Sequence, residues 1–326
     1  MDKHQALDLP IRYFSSVTAR KVDWLFKPYI PFGKITIVQG DPGDGKTTLV
    51  LNIAALLSTG QQIPESANEA RRSCVIYQSA EDGAEDTLKP RLVSAGADCS
   101  QIAFIDESEL GLTLNDRRIE NAINETGARM LVFDPLQAYL GENSEINRSD
   151  GIRPVMRRLA AVAERTGCAI VAIGHMNKAG GAKGIYRGLG SIDITAAARS
   201  VLLVGRVKSN PSIRVMAQLK NSLAEEGRPI AFEINDNATV RWIGEYDITA
   251  DELLNGEEMQ AEGTILSEAV NALEGMLSNG EVPCVQVYTM LRDMGISKRS
   301  VDRAKKQLEV KSTKHADGWY WSLERN

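Results

Sequence analysis

Apolar residues fall along this chain in short unbroken runs, separated by longer stretches in which they recur every three or four positions. Residues 34–39, 74–78, 102–105, 130–133 and 169–173 are such runs and read as strands covered on both faces. Between them, 48–57, 86–95, 116–126 and about 151–165 read as helices. In the last of these Ile152, Val155, Met156, Leu159 and Val162 form one apolar face. This alternation predicts an α/β fold built on a parallel sheet. Beyond Ser200 the rhythm changes: 201–204, 213–217, 230–234 and 240–243 follow one another across short polar turns, which predicts an antiparallel extension of the sheet. Residues 245–262 are acidic and polar and read as a linker with a short helix. Residues 265–277, 285–294 and 297–308 then read as three helices, and 317–323 as an aromatic, hairpin-like end. The expected organisation is an N-terminal segment (1–22), a large α/β domain (23–244), the linker (245–262) and a small α+β domain (263–326).

The turn between the first strand and first helix carries the most specific chemistry. Gly40, Asp41, Pro42, Gly43, Asp44, Gly45, Lys46 and Thr47 fit G-x-x-x-x-G-K-[ST] residue for residue, and Thr48 opens the helix proper. Glycines let successive backbone N–H groups turn inward around phosphate oxygens. Lys46 supplies positive charge to the β and γ phosphates, and Thr47 offers a hydroxyl to magnesium. The helix that follows presents its amino end, which favours negative charge. ATP with Mg2+ is therefore the expected ligand.

Two further strand ends carry acids. The run 131–133 stops at Asp134, where an aspartate at a strand's carboxyl end holds magnesium through water. Glu81, in Ser79-Ala80-Glu81-Asp82, follows the strand 74–78, where it is placed to polarise an attacking water or, alternatively, to cap the helix that follows. A third strand ends at His175, placed to sense the γ-phosphate.

Composition leaves this picture intact and narrows it. The chain has 326 residues, 43% hydrophobic and 25% charged, enough for roughly two domains. Four scattered cysteines without a C-x-x-C pair suggest reduced thiols rather than a disulfide frame or zinc site. The sequence has neither an apolar run of membrane-spanning length nor a signal-peptide layout, so a cytoplasmic protein without a membrane partner is expected. Net charge is −5, yet residues 283–326 hold nine Lys+Arg against five Asp+Glu. A basic tail on an acidic body points to nucleic acid.

Together, Gly40 to Thr48, Ser79-Ala80-Glu81-Asp82, Phe133-Asp134-Pro135-Leu136 and Gly174-His175-Met176-Asn177-Lys178 resemble the RecA-fold ATPases of the RepA type, the hexameric helicases of plasmid and phage replication. The resemblance spans about residues 23–244. It implies a RecA-like P-loop core and a ring of subunits, expected to be a hexamer, with ATP between neighbours and Lys46, Glu81, Asp134 and His175 in catalysis. In that family a basic residue from the adjacent subunit completes the site. Arg199, Arg206 and Lys220 are the candidates, Lys220 standing where the DnaB-type pattern carries an arginine before asparagine. The alternatives are a RadA-type recombination or repair ATPase, whose Lys-Asn-Arg-Phe-Gly motif is absent, and a DNA-bound regulator or loader that uses ATP as an assembly switch.

Two loops after strand ends, 141–149 and 177–188, would face a central channel in such a ring. The second combines glycines with Lys178, Lys183 and Arg187, suited to tracking single-stranded DNA. In the small domain the third helix is expected to bury Val301, Ala304 and Leu308, leaving Arg299, Arg303 and Lys306 on the opposite face. With the hairpin 317–323 this resembles a winged helix, for which DNA binding and protein docking are both open.

Overall fold

The computed structural model describes residues 11, 13–66, 71–141, 149–176, 192–255, 259–278, 280–296, 298–315 and 318–323. The chain divides into two compact units, one formed by residues up to 205 with 214–247, the other by 206–213 with 248–326.

In the larger unit a short antiparallel pair, β1 (Trp24–Phe26) and β2 (Ile30–Pro31), precedes β3 (Ile35–Gly40) and α1 (Lys46–Thr59). Next come β4 (Val75–Ser79), α2 (Lys89–Ser94), β5 (Ile102–Ala103), α3 (Arg117–Thr126), β6 (Met130–Asp134), α4 (Ser149–Thr166), β7 (Ala169–His175) and α5 (Ile192–Ala197). The remaining strands are β8 (Ser200–Val207), β9 (Asn210–Asn221), β10 (Ile230–Ile234) and β11 (Val240–Glu245). Among the described residues they form one sheet in the order β11-β10-β9-β8-β3-β7-β6-β4-β5. The pairs β3–β7, β3–β8, β6–β7, β4–β6 and β4–β5 are parallel, and β10–β11 is antiparallel. This is a RecA-like α/β fold.

Both faces of the sheet are covered, which is why its strands read as continuous apolar runs. Val38, Met130, Val132, Val171 and Ile173 face a core shared with α1 and α2, whereas Ile35, Ile37, Leu131, Phe133 and Ile170 face one shared with α3 and α4. α1 is buried nearly all round, from Leu49 through Ala55. β11 completes its cover, with Trp242 Nε1 donating to Asn52 Oδ1 at 3.0 Å.

Three expectations for this unit need correction. Residues 201–204 belong to β8, which runs parallel to β3 and follows α5, so the antiparallel part begins one strand later. The run 102–105 pairs only over Ile102–Ala103. Beyond that the Gln78 side chain takes the place of the ladder, accepting from Ile105 N and donating to Ile105 O, each at 3.0 Å. The helix expected at 86–95 starts as a π-turn over Ala84–Leu88, with Leu88 N donating to Gly83 O at 2.9 Å. Pro90 has no N–H to give residue 86, so a regular α-helix through this stretch would lack that bond.

The smaller unit holds α6 (Ala250–Asn255), α7 (Met259–Leu277), β12 (Val282–Pro283), α8 (Cys284–Asp293), α9 (Lys298–Gln307), β13 (Lys311–His315) and β14 (Gly318–Ser322). α7 starts earlier than the expected 265. The three strands form an antiparallel sheet in the order β12-β14-β13. Its core is Ala269, Leu273 and Leu277 of α7, Val287 and Leu291 of α8, Val301 and Ala304 of α9, and Trp321. No helix among the described residues is long and apolar enough to cross a membrane.

Candidate nucleotide site

β3 ends at Gly40, opposite His175 of β7 in register. A Cβ at Gly40 would stand 2.0 Å from the Val204 carbonyl oxygen of β8, so the strand can end here only on glycine. Gly45 closes the loop in the left-handed region, φ +93°, and a Cβ there would meet Ile234 Cδ1 at 2.4 Å and Arg214 Cδ at 3.1 Å. The loop therefore turns tightly between β3 and α1, with β9 and β10 against it.

Lys46 opens α1 and is 4% exposed. Its ammonium donates to Gly40 O at 2.9 Å and Asp41 O at 2.8 Å, bracing the loop. Burial lowers the Lys46 pKa, and the charges of Asp44, Asp134, Asp41 and Glu81 oppose that shift. The first turn of α1 holds no acidic residue and no side-chain cap, so its amino end has the character of an anion site.

The acids arrive from adjacent strands. Ser79 of β4 lies opposite Asp134 of β6, and Ala80 N donates to Asp134 O at 3.0 Å, keeping the segment after β4 along the end of β6. Asp134 is 6% exposed and its Oδ2 accepts from Thr47 Oγ1 at 2.7 Å and Tyr77 OH at 2.8 Å. Burial raises the Asp134 carboxyl above its usual range; the two donors pull it back, and Asp82 and Glu81 push it further up. The Tyr77 phenol, fully buried beside this carboxylate, is held well above its ordinary value, chiefly by burial, so it remains a donor. Glu81 stands 3.7 Å from His175 Nε2, both side chains partly exposed. His175 Nδ1 is buried with no hydrogen-bond partner among the described residues.

The structure thus brings Lys46, Thr47, Glu81, Asp134 and His175 to the carboxyl edge of one sheet, at the ends of β3, β4, β6 and β7. That edge is where ligands of open α/β sheets bind. The donor set fits a magnesium-bound triphosphate: a hydroxyl, a carboxylate, an ammonium, and a glycine turn with no room for a Cβ. The same ends hold two residues that sequence reasoning missed. Tyr77 reads as core in a buried strand, and the phenolic oxygen two residues before the strand end is its single hint. Arg214 carries no motif and reaches the loop through β9. Next to Glu81, Asp82 is fixed by Arg91 Nη1 at 2.8 Å, with its N–H on Ser79 Oγ at 3.0 Å.

The other candidates lie elsewhere. Arg199 and Arg206 are exposed at the two ends of β8. Lys220 donates to Thr195 O at 2.9 Å and Ala198 O at 2.8 Å, so its ammonium closes the carboxyl end of α5 in its own chain. Burial, then the charge of Arg199, lower its pKa. Lys178, Lys183 and Arg187 lie outside the described residues, as does most of the loop 141–149. Arg303 and Lys306 are exposed on α9, opposite Val301 and Ala304; the side chain of Arg299 is outside the described set.

A family model described as AAA domain matches residues 2–181. The chain is 29% identical over 156 residues to a DNA repair protein RadA of Halalkalibacterium halodurans, covering 47% of this chain and 30% of that one. It is 24% identical over 210 residues to a DNA repair protein RadA of Mycobacterium tuberculosis, covering 63% and 38%. The match spans about a third of the length of these curated relatives. Among solved structures, a KaiC-like protein from Pyrococcus horikoshii OT3 aligns over 65% of this chain and 90% of its own, with TM-score 0.47 and 19% identity.

Proposed function

The chain belongs to the AAA domain family, and from that premise we propose that it is an ATP-driven DNA motor of the RepA type, a ring that hydrolyses ATP between subunits. The observation that carries the ATPase part is the 2.7 Å bond from Thr47 of the phosphate loop to Asp134 of β6, with Glu81 on the neighbouring strand end. Bound magnesium would neutralise charge on the β and γ phosphates. Thr47 and Asp134 hold it, and Lys46 with the backbone N–H groups of 43–48 cradles the phosphates. Glu81 orients the attacking water and takes its proton. His175, beside Glu81 and in register with Gly40, reports the γ-phosphate to the loop carrying Lys178, Lys183 and Arg187. One of Arg199, Arg206 and Lys220 is supplied to the neighbouring subunit; the side chains of Arg199 and Arg206 are exposed, whereas Lys220 closes α5 in its own chain. The small unit, winged-helix-like in α7, α8 and α9 with their three strands, holds DNA through Arg299, Arg303 and Lys306.

A second reading, a RadA-type repair ATPase, is favoured by the curated relatives, which are named DNA repair proteins. The two separate in one experiment: strand displacement with and without ATP, beside particle images of the ATP-bound protein on single-stranded DNA. Closed rings that displace a strand support the RepA-type reading, and filaments support the RadA-type one. Nucleotide-dependent oligomers without displacement would overturn the motor in favour of an ATP-switched loader.

A further inference from the structure

We propose that Tyr77 is a positioning residue of the metal site, its hydroxyl fixing the direction in which the Asp134 carboxylate faces Thr47. The inference rests on the reading of Thr47 and Asp134 as the magnesium-holding pair.

The argument starts from the sheet. β4 and β6 are parallel neighbours with Tyr77 opposite Val132 and Ser79 opposite Asp134. Tyr77 and Asp134 therefore share one face of the sheet, a diagonal step apart, within reach of an aromatic side chain. The Tyr77 ring belongs to the buried core that also holds Leu88 and Leu92. It lines a cavity of about 370 Å³ with Leu88, Leu92, Ile102 and Phe104, and is itself 3% exposed. Its only polar atom is delivered to Asp134 Oδ2 at 2.8 Å, the same oxygen that accepts from Thr47 at 2.7 Å.

Two donors on one carboxylate oxygen restrict rotation about the Cβ–Cγ bond of Asp134. They do so differently. Thr47 has a single hydroxyl proton, given to Asp134, which leaves its lone pairs for a cation. A buried phenol needs a partner, and among the described residues Asp134 is the one that the Tyr77 hydroxyl meets, so the bond to Asp134 is the role its oxygen plays here. The strand position itself asks only for an apolar side chain, as its neighbours Val75 and Val132 show, so the hydroxyl is the feature that packing does not account for. Phenylalanine would keep the ring in its place and remove just the bond to Asp134.

The test uses Tyr77→Phe in the full chain, with a fluorescent ATP analogue titrated against Mg2+ and, separately, bound in EDTA. The magnesium concentration for half-saturation is expected to rise about 3–10-fold, the size of the net contribution of one typical hydrogen bond. Affinity in EDTA should stay at the wild-type value. In an Asp134→Asn background the same replacement should add nothing, because the two residues act as one unit. A Tyr77→Phe protein with wild-type magnesium dependence overturns the inference, whether or not it melts at lower temperature, since lost packing alone would move only the melt. An equal effect in the Asp134→Asn background overturns it as well. If the wild-type protein binds the analogue with no response to magnesium, the metal-pair reading falls first and Tyr77 with it.

Discussion

Asp134 illustrates how the proposed site would trade stability for function. Its carboxylate is nearly out of contact with water, and burial outweighs the Thr47 and Tyr77 donors, so its pKa sits above the usual carboxylate range. A carboxyl raised in the folded state stabilises while protonated, and that contribution fades as pH rises through the folded value. Asp134→Asn removes the ionisation. Its melting temperature should therefore exceed that of the wild type by a few degrees at neutral pH, with the gain vanishing as pH falls below the ordinary carboxylate range. Thermal melts of both proteins across pH check the sign; a variant that melts lower at neutral pH would contradict it. The same substitution should slow magnesium-dependent phosphate release by about 100-fold. Lys46→Ala should also lose about 100-fold or more in turnover. Glu81→Gln should bind ATP normally yet hydrolyse it about 100- to 10,000-fold more slowly, the range for losing a general base. Unchanged phosphate release in the Glu81 variant would remove that residue from the mechanism.

At the scale of elements, the site depends on how closely β3 and β8 approach. Gly40→Ala would place a methyl 2.0 Å from the Val204 carbonyl, and the rigid backbone on that side must give way. A loss of about 3 kcal/mol is expected from urea unfolding. Gly151→Ala is the contrast: it lies in α4 with nothing within 4 Å of the added methyl, and should gain about 0.5–1 kcal/mol. Two midpoints that move together would show that β3–β8 proximity is not what constrains Gly40. This close contact also explains what was legible in the sequence. β3, β4, β6 and β7 announce themselves because both their faces meet apolar cores, and their carboxyl ends carry the motifs. β8 does not, because its apolar run and short turn to β9 look like any hairpin, while its parallel pairing with β3 is a tertiary fact. The shortened β5 depends on Gln78 reaching across to Ile105, a long-range side-chain bond that no local pattern records. Tyr77 was hidden for a similar reason, since a tyrosine in a buried strand reads as core until its hydroxyl is seen to meet Asp134.

For the whole molecule, charge is the property that links the parts to a partner. The chain is acidic overall at −5, but residues 283–326 carry an excess of four positive charges. Part of that excess is structural. Lys305 Nζ lies 4.4 Å from the centre of the Trp321 ring and donates to Ser312 Oγ at 2.8 Å, so it ties α9 to β13 and β14. Arg303 and Lys306 extend instead to the exposed side of α9. If that side meets DNA phosphates, each lost contact should lower the slope of log affinity against log salt by about 0.7 for a single strand and 0.9 for a duplex. Arg303→Gln with Lys306→Gln is thus expected to reduce the slope by about 1.4 on single-stranded DNA, with affinity falling most at low salt and converging on the wild type at high salt. Fluorescence anisotropy over a salt series measures this directly. Lys305→Gln supplies the counter-case, since a residue committed to Trp321 and Ser312 should change the melting temperature and leave the slope alone. A slope unchanged by the Arg303–Lys306 pair would take the proposed DNA contact off α9, and with it the reason offered for a basic tail on an acidic body.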